Sequence, residues 1–372
     1  MKKKWEIYYA DEDKINEIAS KFNISKLLAR ILVNRGITKN EEIEVFLNPT
    51  RDDFYDPFLM PDMEKTVERI IKAIDEKEKV IIYGDYDVDG ITSITVLKKY
   101  LEERGLNVDY YIPNRLEEGY GLNNEAIKKI IDDKYTLVIT VDCGISGTEE
   151  IEICNKAGID VIVTDHHEPL EILPNAYAVV DTKRKDNNYP FRELCGAGVV
   201  FKLIQGISIK LNLDAKEYLK YLDIVCVGTI SDIVPLIDEN RVIAKLGLKL
   251  IAQTKNIGLK TLIQASGYKK IDSNLISFGI APRINACGRM GFQEEALKLF
   301  LTNNIEEAKK ITLELNRFNS NRQEIEREIF NQAILELEKE DIDNLNSIVI
   351  GGENWHHRSN WYSSIKTNRK IL

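Results

Sequence analysis

Short runs of apolar and β-branched residues recur five times between residues 80 and 181, and stretches with helical spacing separate them. The runs are VIIYGD (80–85), VDYYIP (108–113), LVITVD (137–142), VIVTD (161–165) and AVVD (178–181). In the intervening stretch ITSITVLKKYLEERG, Ile91, Ile94 and Leu97 fall on one helical face, and Gly105 ends the pattern. This alternation predicts an α/β fold class, with a mainly parallel sheet flanked by helices.

An aspartate ends four of the five runs: Asp85, Asp142, Asp165 and Asp181. In open parallel sheets, ligands bind in the crevice outside the carboxyl ends of the strands. We therefore expect these acidic side chains to converge on one site.

The composition is that of a soluble globular protein, with 44% hydrophobic and 30% charged residues. No apolar run approaches the roughly 18 residues that span a bilayer. A polar, acidic stretch follows the N-terminal lysines where a signal peptide requires an apolar segment, so we expect a cytoplasmic protein without membrane contact. The five cysteines are odd in number and lack CxxC spacing, which disfavours a disulfide framework and a zinc knuckle.

The motif DYDVDG carries Asp85, Asp87 and Asp89 at alternate positions, followed by Gly90. This spacing matches the first half of a calcium-binding EF-hand loop, which requires a glutamate at its twelfth position. Val96 occupies that position, and a strand pattern precedes the loop where an EF-hand has a helix, so the calcium interpretation fails. A solvated acidic turn is the structural alternative for this motif alone.

Other strand ends supply further residues of the metal-binding types. VDCG holds Asp142, DHH holds Asp165, His166 and His167, and TISD holds Asp232. Two adjacent histidines, in a chain with four, favour metal ligands or acid–base groups when several carboxylates lie nearby. Mixed carboxylate and imidazole ligands suit Mn²⁺, with Mg²⁺ second. Two ions ~3.5 to 4 Å apart are the standard arrangement for in-line attack of hydroxide on phosphorus, which predicts phosphoester hydrolysis.

These motifs, taken in order, resemble the DHH phosphoesterase superfamily. Within it, YGDYDVDGITS, LCGAGVVFKL (194–203), GTISDIVPL and PRINACGRM (282–290) are similar to the RecJ family of single-strand-specific 5′ to 3′ DNA exonucleases. The similarity covers about Lys26 to His357. It implies single-stranded DNA as the substrate, a role in DNA repair and recombination, and the single-strand-binding protein as a partner. We expect a monomer.

The resemblance also implies a role for each matching residue. Five residues match the family's metal ligands: Asp87, Asp89, Asp142, His166 and Asp232. Asp142 is placed to bridge two ions, His167 matches a histidine that contacts the scissile phosphate, and Asp85 and Asp165 are assigned to supporting these groups. Some members carry a histidine where Tyr83 stands, so one metal site is expected to be weaker here.

Two segments are expected to contact the DNA. The six residues are Arg283, Asn285, Gly288, Arg289, Gly196 and Gly198. The first four lie in PRINACGRM, where arginines bind phosphates and small residues allow close backbone approach. The two glycines of CGAG precede a predicted helix whose N-terminal amides suit a phosphate. Without the family order, a capping turn and a tight turn are the alternatives, and the net charge of −9 disfavours coating DNA by charge alone.

The chain is long enough for two or more structural units. We divide it into an N-terminal helical segment (1–60), a catalytic domain with a helical part (61–303), a long connector helix (304–341) and the remnant of a second domain (342–372). Helices are expected at 199–211, 215–229, 240–253 and 294–302. Members of the family continue after a WHHGVIGIVAS-type segment into a second domain, DHHA1, which helps to hold DNA.

The last residues, RSNWYSSIKTNRKIL, depart from that family pattern. One back-translation of RSNWYSSIK gives GVIGIVAS in the next frame, so we expect a frameshift after His357 and weak or absent processive digestion. Two other functions stay open. One is a family phosphoesterase acting on short oligonucleotides or adenosine bisphosphate, which the N-terminal segment and PRINACGRM disfavour. The other is a catalytically silent, DNA-associated scaffold, which the complete ligand set disfavours.

Overall fold

A five-stranded sheet lies at the centre of the computed structural model, which describes residues 9, 11–115, 117–337, 350–352 and 355. The strands are β1 (Val80–Gly84), β2 (Val108–Tyr111), β3 (Leu137–Val141), β4 (Asp160–Asp165) and β5 (Ala178–Asp181). Their order is β2-β1-β3-β4-β5, and every neighbouring pair is parallel. The strands coincide with the five predicted runs, which confirms the predicted fold class.

A small helical unit precedes the sheet. It consists of α1 (Glu12–Lys21), α2 (Lys26–Asn34) and α3 (Asn40–Leu47), which enclose a separate apolar core that includes Ile15, Leu32 and Ile43. Two short 3₁₀ turns, Arg51–Asp53 and Pro57–Leu59, lead from this unit to α4 (Met63–Glu76).

Helices cover both faces of the sheet. They are α5 (Val88–Glu102), α6 (Asn124–Asp132), α7 (Thr148–Lys156) and α8 (Gly196–Lys210). Helices α4, α5 and α8 pack on one face, and α6 and α7 pack on the other. Because side chains alternate along a strand, β1 sends Ile82 into the first core and Tyr83 into the second. Because all five strands are parallel, their carboxyl ends lie at the same edge of the sheet.

The rest of the described chain is helical. It contains α9 (Lys216–Leu219), α10 (Leu222–Ser231), α11 (Asp238–Ile251), α12 (Ile257–Ser266), a π-helix (Leu275–Ile280), α13 (Ala281–Met290), α14 (Gln293–Leu301) and α15 (Ile305–Leu337). The prediction of a single helix at 215–229 is wrong, because the helix is interrupted between Leu219 and Leu222. Helix α9 has no buried residue, whereas α10 is buried from Leu222 to Ile230. An apolar run without periodicity does not reveal where one of these helices ends and the other begins.

Helix α15 follows the pattern predicted from residue 305 onward. Its first half packs on α12, α13 and α14 through residues such as Ile311, Leu315 and Phe318. Residues 338–349 and 356–372, which include most of the predicted second-domain remnant and the frameshift after His357, lie outside the described residues. Among the helices of the described part, none is both long and apolar enough to cross a membrane.

A fully buried ion pair fastens the helical part to the segment before α4. Both the Lys202 and Glu239 side chains are 0% exposed, with Nζ and Oε1 2.9 Å apart. Lys202 also donates to the Tyr55 carbonyl at 2.6 Å, and Glu239 accepts from the Tyr189 hydroxyl and the Tyr55 amide. Burial lowers the pKa of Lys202 and raises that of Glu239, so each charge depends on the other.

Substituting Lys202→Met should lower the free energy of unfolding by about 3 to 5 kcal/mol, because it leaves Glu239 buried without its cation. The double variant Lys202→Met/Glu239→Gln should recover most of that loss, since no buried charge remains. Urea unfolding measures both. Lys210→Met is the control, since Lys210 pairs with Glu64 and Glu68 at the surface and should cost less than about 1 kcal/mol. A double variant no more stable than the single one would show that the unpaired Glu239 charge is not the source of the loss.

Candidate metal centre

The loop after β1 is folded tightly enough to bring three carboxylates to the sheet edge. Asp87 caps α5, and its Oδ1 accepts from the amides of Asp89 at 2.8 Å and Gly90 at 3.1 Å. A Cβ atom at position 90 would lie 2.3 Å from the Asp85 carbonyl oxygen, so glycine is required there. The spacing of DYDVDG therefore follows from the turn between strand and helix, with Asp89 in the first turn of α5.

The ends of β3 and β4 place further ligand candidates at this edge, and the backbone conformation differs between the two. Asp142 follows β3 with φ +60°, and its amide donates to the Thr164 carbonyl on β4 at 3.0 Å. This left-handed conformation is uncommon outside glycine and turns the chain sharply at the strand end. Asp165 ends β4 and is followed at once by His166 and His167. Asp232 comes from the helical part of the chain, where it caps the C-terminus of α10.

These side chains converge around the His166 ring. Its Nε2 lies 3.0 Å from Asp142 Oδ1, 3.7 Å from Asp89 Oδ2 and 3.8 Å from Asp232 Oδ2. Apart from the close approach of His166 Nε2 to Asp142 Oδ1, these two atoms and Asp85 Oδ1 are buried and make no hydrogen bond of good geometry within the described residues. Buried polar atoms are rarely left unsatisfied, so ligand atoms of this kind fit a cation-binding site.

Three overlapping groups have ligand atoms that lie within 4.8 Å of one another and are able to hold a metal ion. They are Asp142 with His166 and His167, Asp89 with His166 and Asp232, and Asp85 with Asp87 and Asp142. Asp142 belongs to two of the groups. All five predicted ligands take part, and Asp85, predicted as a supporting residue, also stands among the groups able to bind.

The N-terminus of α8 holds Asp89 in place. The Asp89 carboxylate accepts from the amides of Gly196 at 2.5 Å and Ala197 at 3.0 Å. A Cβ atom at Gly196 would lie 2.6 Å from the Asp142 Cβ, so only glycine lets α8 approach so closely. The Gly198 amide contacts Cys195 Sγ at 3.3 Å. In the structure the helix N-terminus thus orients a ligand candidate, and the predicted phosphate contact by these glycines stays a prediction.

Asp165 organises the two histidines. Its Oδ1 accepts from the amides of His166 at 2.7 Å and His167 at 3.2 Å, and it lies 2.7 Å from His167 Nδ1. The Ile145 amide donates to its other oxygen at 2.9 Å. These contacts fix the His167 imidazole, which is 45% exposed, and the supporting role of Asp165 stays a prediction.

Electrostatics explain why this cluster requires a counter-charge. Burial and the neighbouring Asp87 raise the pKa of Asp85 to about 8, and burial and Asp89 raise that of Asp232 to about 8. Burial and like charges also raise the pKa of Asp87 and Asp142. Burial opposes ionisation of Asp165 too, but its hydrogen bond to His167 prevails and lowers its pKa, while that bond raises the pKa of His167.

The residues present fit a divalent cation. Carboxylate oxygens with one or two imidazole nitrogens are the donor set that Mn²⁺ accepts readily, and Mg²⁺ binds carboxylates as well. The cysteine that follows Asp142, Cys143, is buried, and its Sγ contacts the Tyr83 carbonyl. Tyr83 itself donates its hydroxyl to the Gly121 carbonyl at 2.9 Å and packs in the α6–α7 core, so it adds no ligand atom.

Helix α13 brings positive charge beside the carboxylates. Gly288 lies so close to the loop after β1 that a Cβ there would be 2.8 Å from the Tyr86 carbonyl oxygen. The Arg115 guanidinium lies 5.1 Å from the centre of the Tyr86 ring. Burial and the positive charges of Arg322 and Arg115 lower the pKa of Arg289 to about 10. Three arginines, Arg115, Arg289 and Arg322, therefore form an arginine group next to the loop after β1.

Arg283, another predicted residue of α13, has hydrogen-bond partners within the protein. Arg283 Nε donates to Asn316 Oδ1 on α15 at 2.6 Å, and its Nη1 donates to the Gly279 carbonyl. Asn285 is half-buried on the same helix. The guanidinium of Arg283 thus joins α13 to α15, and its predicted DNA contact remains a prediction.

Tyr120 and Arg115 are site residues that the sequence motifs did not single out. The Tyr120 hydroxyl lies 3.3 Å from the Asp142 carbonyl and 3.2 Å from His167 Nδ1, and its ring meets the imidazole edge to face. Both residues follow β2, so the rule that ligands gather beyond strand ends could have identified them. β2 carries no terminal aspartate, so the sequence gives no acidic signal at that strand end.

Comparison with known proteins places this geometry in a family. The model of the DHH family, N-terminal domain, matches residues 79–229. The single-stranded-DNA-specific exonuclease RecJ of Bacillus subtilis is 40% identical over 357 residues, which are 95% of this chain and 44% of that protein. The chain therefore spans less than half the length of this curated relative.

Two solved structures share the fold. The crystal structure of RecJ in complex with Mn²⁺ from Thermus thermophilus has a TM-score of 0.80 and 29% identity, covering 93% of this chain and 49% of that one. A crystal structure of exonuclease RecJ bound to manganese has a TM-score of 0.74 and 34% identity, covering 81% of this chain and 75% of that one. Both relatives hold the metal that the donor set here favours.

Without divalent cations, the unfolding temperature should fall as the pH rises. The folded-state pKa values of Asp85 and Asp232, about 8, exceed the ordinary carboxyl value of 3.8, so the folded chain binds more protons than the unfolded chain between these limits. The stability contributed by these protonated carboxyls is fully present below the ordinary pKa of 3.8, and it is lost as the pH rises through the folded-state pKa of about 8. Saturating Mg²⁺ should consequently raise the unfolding temperature more at about pH 8.5 than at about pH 6.

Thermal unfolding in chelator and in Mg²⁺ measures both effects. Asp142→Asn, which removes one of the repelling charges, should weaken the pH dependence in chelator and reduce the stabilisation by Mg²⁺. Stabilisation by Mg²⁺ that is equal in the wild type and in Asp142→Asn would contradict the assignment of the cluster as the cation site.

Proposed function

This chain belongs to the RecJ family of DHH proteins, and on that premise we propose that it is a metal-dependent exonuclease that hydrolyses single-stranded DNA in the 5′ to 3′ direction. The observation that carries the proposal is the set of buried ligand atoms on His166, Asp142 and Asp85, which lie in overlapping groups able to hold a cation, with the Arg115 charge acting on Asp85. Carboxylates that hold cations next to phosphate-binding arginines suit phosphodiester hydrolysis.

In this proposal Asp87, Asp89, Asp142, His166 and Asp232 hold two divalent cations, Mn²⁺ first and Mg²⁺ second. Asp142 and His166 each belong to two of the three metal-capable groups, and Asp142 would be the carboxylate shared between the ions. When bound, such ions neutralise charge on the phosphate oxygens and make water a better nucleophile. The protein's own part is rigid placement: Asp89 is fixed by the α8 amides, and Asp142 by its left-handed turn.

His167 is proposed to contact the scissile phosphate. Its Nδ1 is held by Asp165 at 2.7 Å, which leaves Nε2 available for a phosphate oxygen. The same hydrogen bond raises the pKa of His167, which favours the protonated ring as a donor to a phosphate oxygen. Tyr120, at 3.2 Å from Nδ1, packs against the ring and keeps its orientation.

Arg289 and Arg115 are proposed to bind a neighbouring phosphate of the strand. Burial and the nearby positive charges of Arg322 and Arg115 disfavour the charge of Arg289 in the free protein, and a phosphate would relieve this repulsion.

Other predicted residues complete the proposed strand path. Asn285, Gly288 and Arg283 are proposed to support the DNA along α13, and Gly196 and Gly198 along the start of α8. We also retain residues 61–303 as the catalytic domain, and expect a cytoplasmic monomer that works with the single-strand-binding protein.

The direct test is Mn²⁺-dependent digestion of a labelled long single strand by the purified chain. Asp142→Ala should slow digestion by at least about 100-fold, because the lost cation charge is worth several kcal/mol in the transition state. Asp52→Ala is the matched control, since its side chain is 87% exposed and remote from the cluster in sequence, and it should digest at the wild-type rate.

Two results would redirect the assignment. Faster hydrolysis of dinucleotides or adenosine bisphosphate than of long strands would favour a small-substrate phosphoesterase. A wild-type chain that binds single strands and Mn²⁺ but hydrolyses none of these substrates would favour a silent scaffold.

Arg289→Ala should raise the KM for single-stranded DNA about tenfold or more, because a charge-assisted hydrogen bond to phosphate contributes about 1.5 to 3 kcal/mol. The value of kcat should change little if Arg289 binds ground state and transition state equally. Arg51→Ala, at a side chain 64% exposed, is the control. Steady-state digestion at two salt concentrations measures the effect, and an unchanged KM would remove Arg289 from the substrate contacts.

A further inference from the structure

Ile233 has a backbone conformation that its residue type disfavours. It has φ +64°, and the other non-glycine residues with positive φ in the described part are asparagine, aspartate or lysine. β-Branched side chains crowd the backbone in this left-handed region, so an isoleucine there is a genuine outlier. Residues held in such conformations cluster at functional sites.

Packing does not account for the isoleucine either. Its side chain is 87% exposed, whereas Val234 and Leu236 in the same segment pack against the main core. Glycine or asparagine would adopt the turn with less strain, and a polar side chain would suit the exposure. Neither the fold of the chain nor its core therefore requires an apolar β-branched residue at this position.

The position of Ile233 supplies a reason. It directly follows Asp232, whose Oδ2 lies 3.8 Å from His166 Nε2. Consecutive Cα atoms are about 3.8 Å apart, so the Ile233 backbone lies next to this ligand candidate. Asp232 and the half-exposed His167 form the open side of the cluster, while Asp89 and Asp142 are buried. A nucleotide bound at the open side of the cluster is therefore within reach of the exposed residue that follows Asp232.

We propose that Ile233 is a substrate-contacting residue whose side chain packs against the sugar and base of the nucleotide held at the cluster. This inference rests on the proposed function and deepens it. A single apolar side chain beside a charged cluster suits a nucleotide, which offers an apolar face next to a charged phosphate. A stable protein interface needs about 1,000 Å² or more, which one isolated side chain does not provide.

Thiol protection tests the contact without using activity. All five native cysteines are buried, so Ile233→Cys introduces one exposed thiol for a maleimide reagent. A phosphorothioate oligothymidylate with Mn²⁺ should slow its labelling in proportion to occupancy. Leu27→Cys, on the 69% exposed side chain of α2, is the matched control and should label at the same rate with and without the oligonucleotide.

Kinetics separate a substrate contact from a structural role. Ile233→Asn tolerates the left-handed turn but is polar, so the unfolding temperature should stay or rise while the KM for single-stranded DNA rises about tenfold. Ile233→Val keeps most of the apolar surface and should behave like the wild type. A purely structural isoleucine would instead give a lower unfolding temperature with an unchanged KM.

The outcomes distinguish this inference from the proposed function. Digestion by the wild type without protection of the Ile233→Cys thiol overturns the contact alone. Absence of both digestion and protection overturns the proposed function with it, whereas protection without digestion supports the contact. Protection that appears on raising the protein concentration, with no oligonucleotide present, would assign the contact to a second copy of the chain and overturn a nucleotide contact.

Discussion

Repulsion among buried carboxylates is the constraint on which this structure depends. Six aspartates lie around two histidines at the carboxyl edge of one sheet, and the buried ones cannot all ionise in the absence of positive charge. A fold that places them there must restrain each one and must leave some ligand atoms available to a cation. The buried ligand atoms of His166, Asp142 and Asp85, which lack a good hydrogen bond within the described residues, meet this requirement.

The restraint comes from backbone features at four element ends. Gly90 lets α5 begin directly behind Asp85, the left-handed Asp142 turns β3 into the site, and Gly196 lets α8 bring its amides to Asp89. Asp165 then holds both histidines from the end of β4. Positive ends of α5 and α8 thus face the carboxylates, which lowers the cost of collecting them before a cation binds.

Much of this arrangement could be predicted from the sequence, because strand runs and their terminal aspartates are local signals. The ligand set Asp87, Asp89, Asp142, His166 and Asp232 was implied by the family resemblance, and these residues lie close together in the structure. What escaped prediction depends on packing between distant segments. The hydrogen bond from Arg283 to Asn316 and the bonds from the α8 amides to Asp89 join segments more than thirty residues apart. The end of α9 at Leu219 was missed because the following helix α10 is uniformly apolar.

The cation site is tested most directly by anomalous diffraction from crystals of this chain grown with Mn²⁺ and measured at the manganese absorption edge. Two anomalous peaks that share Asp142 as a ligand, one of them beside His166, are the predicted result. Intact side chains around the cluster with no peak between them, at a Mn²⁺ concentration that supports binding in solution, would contradict it.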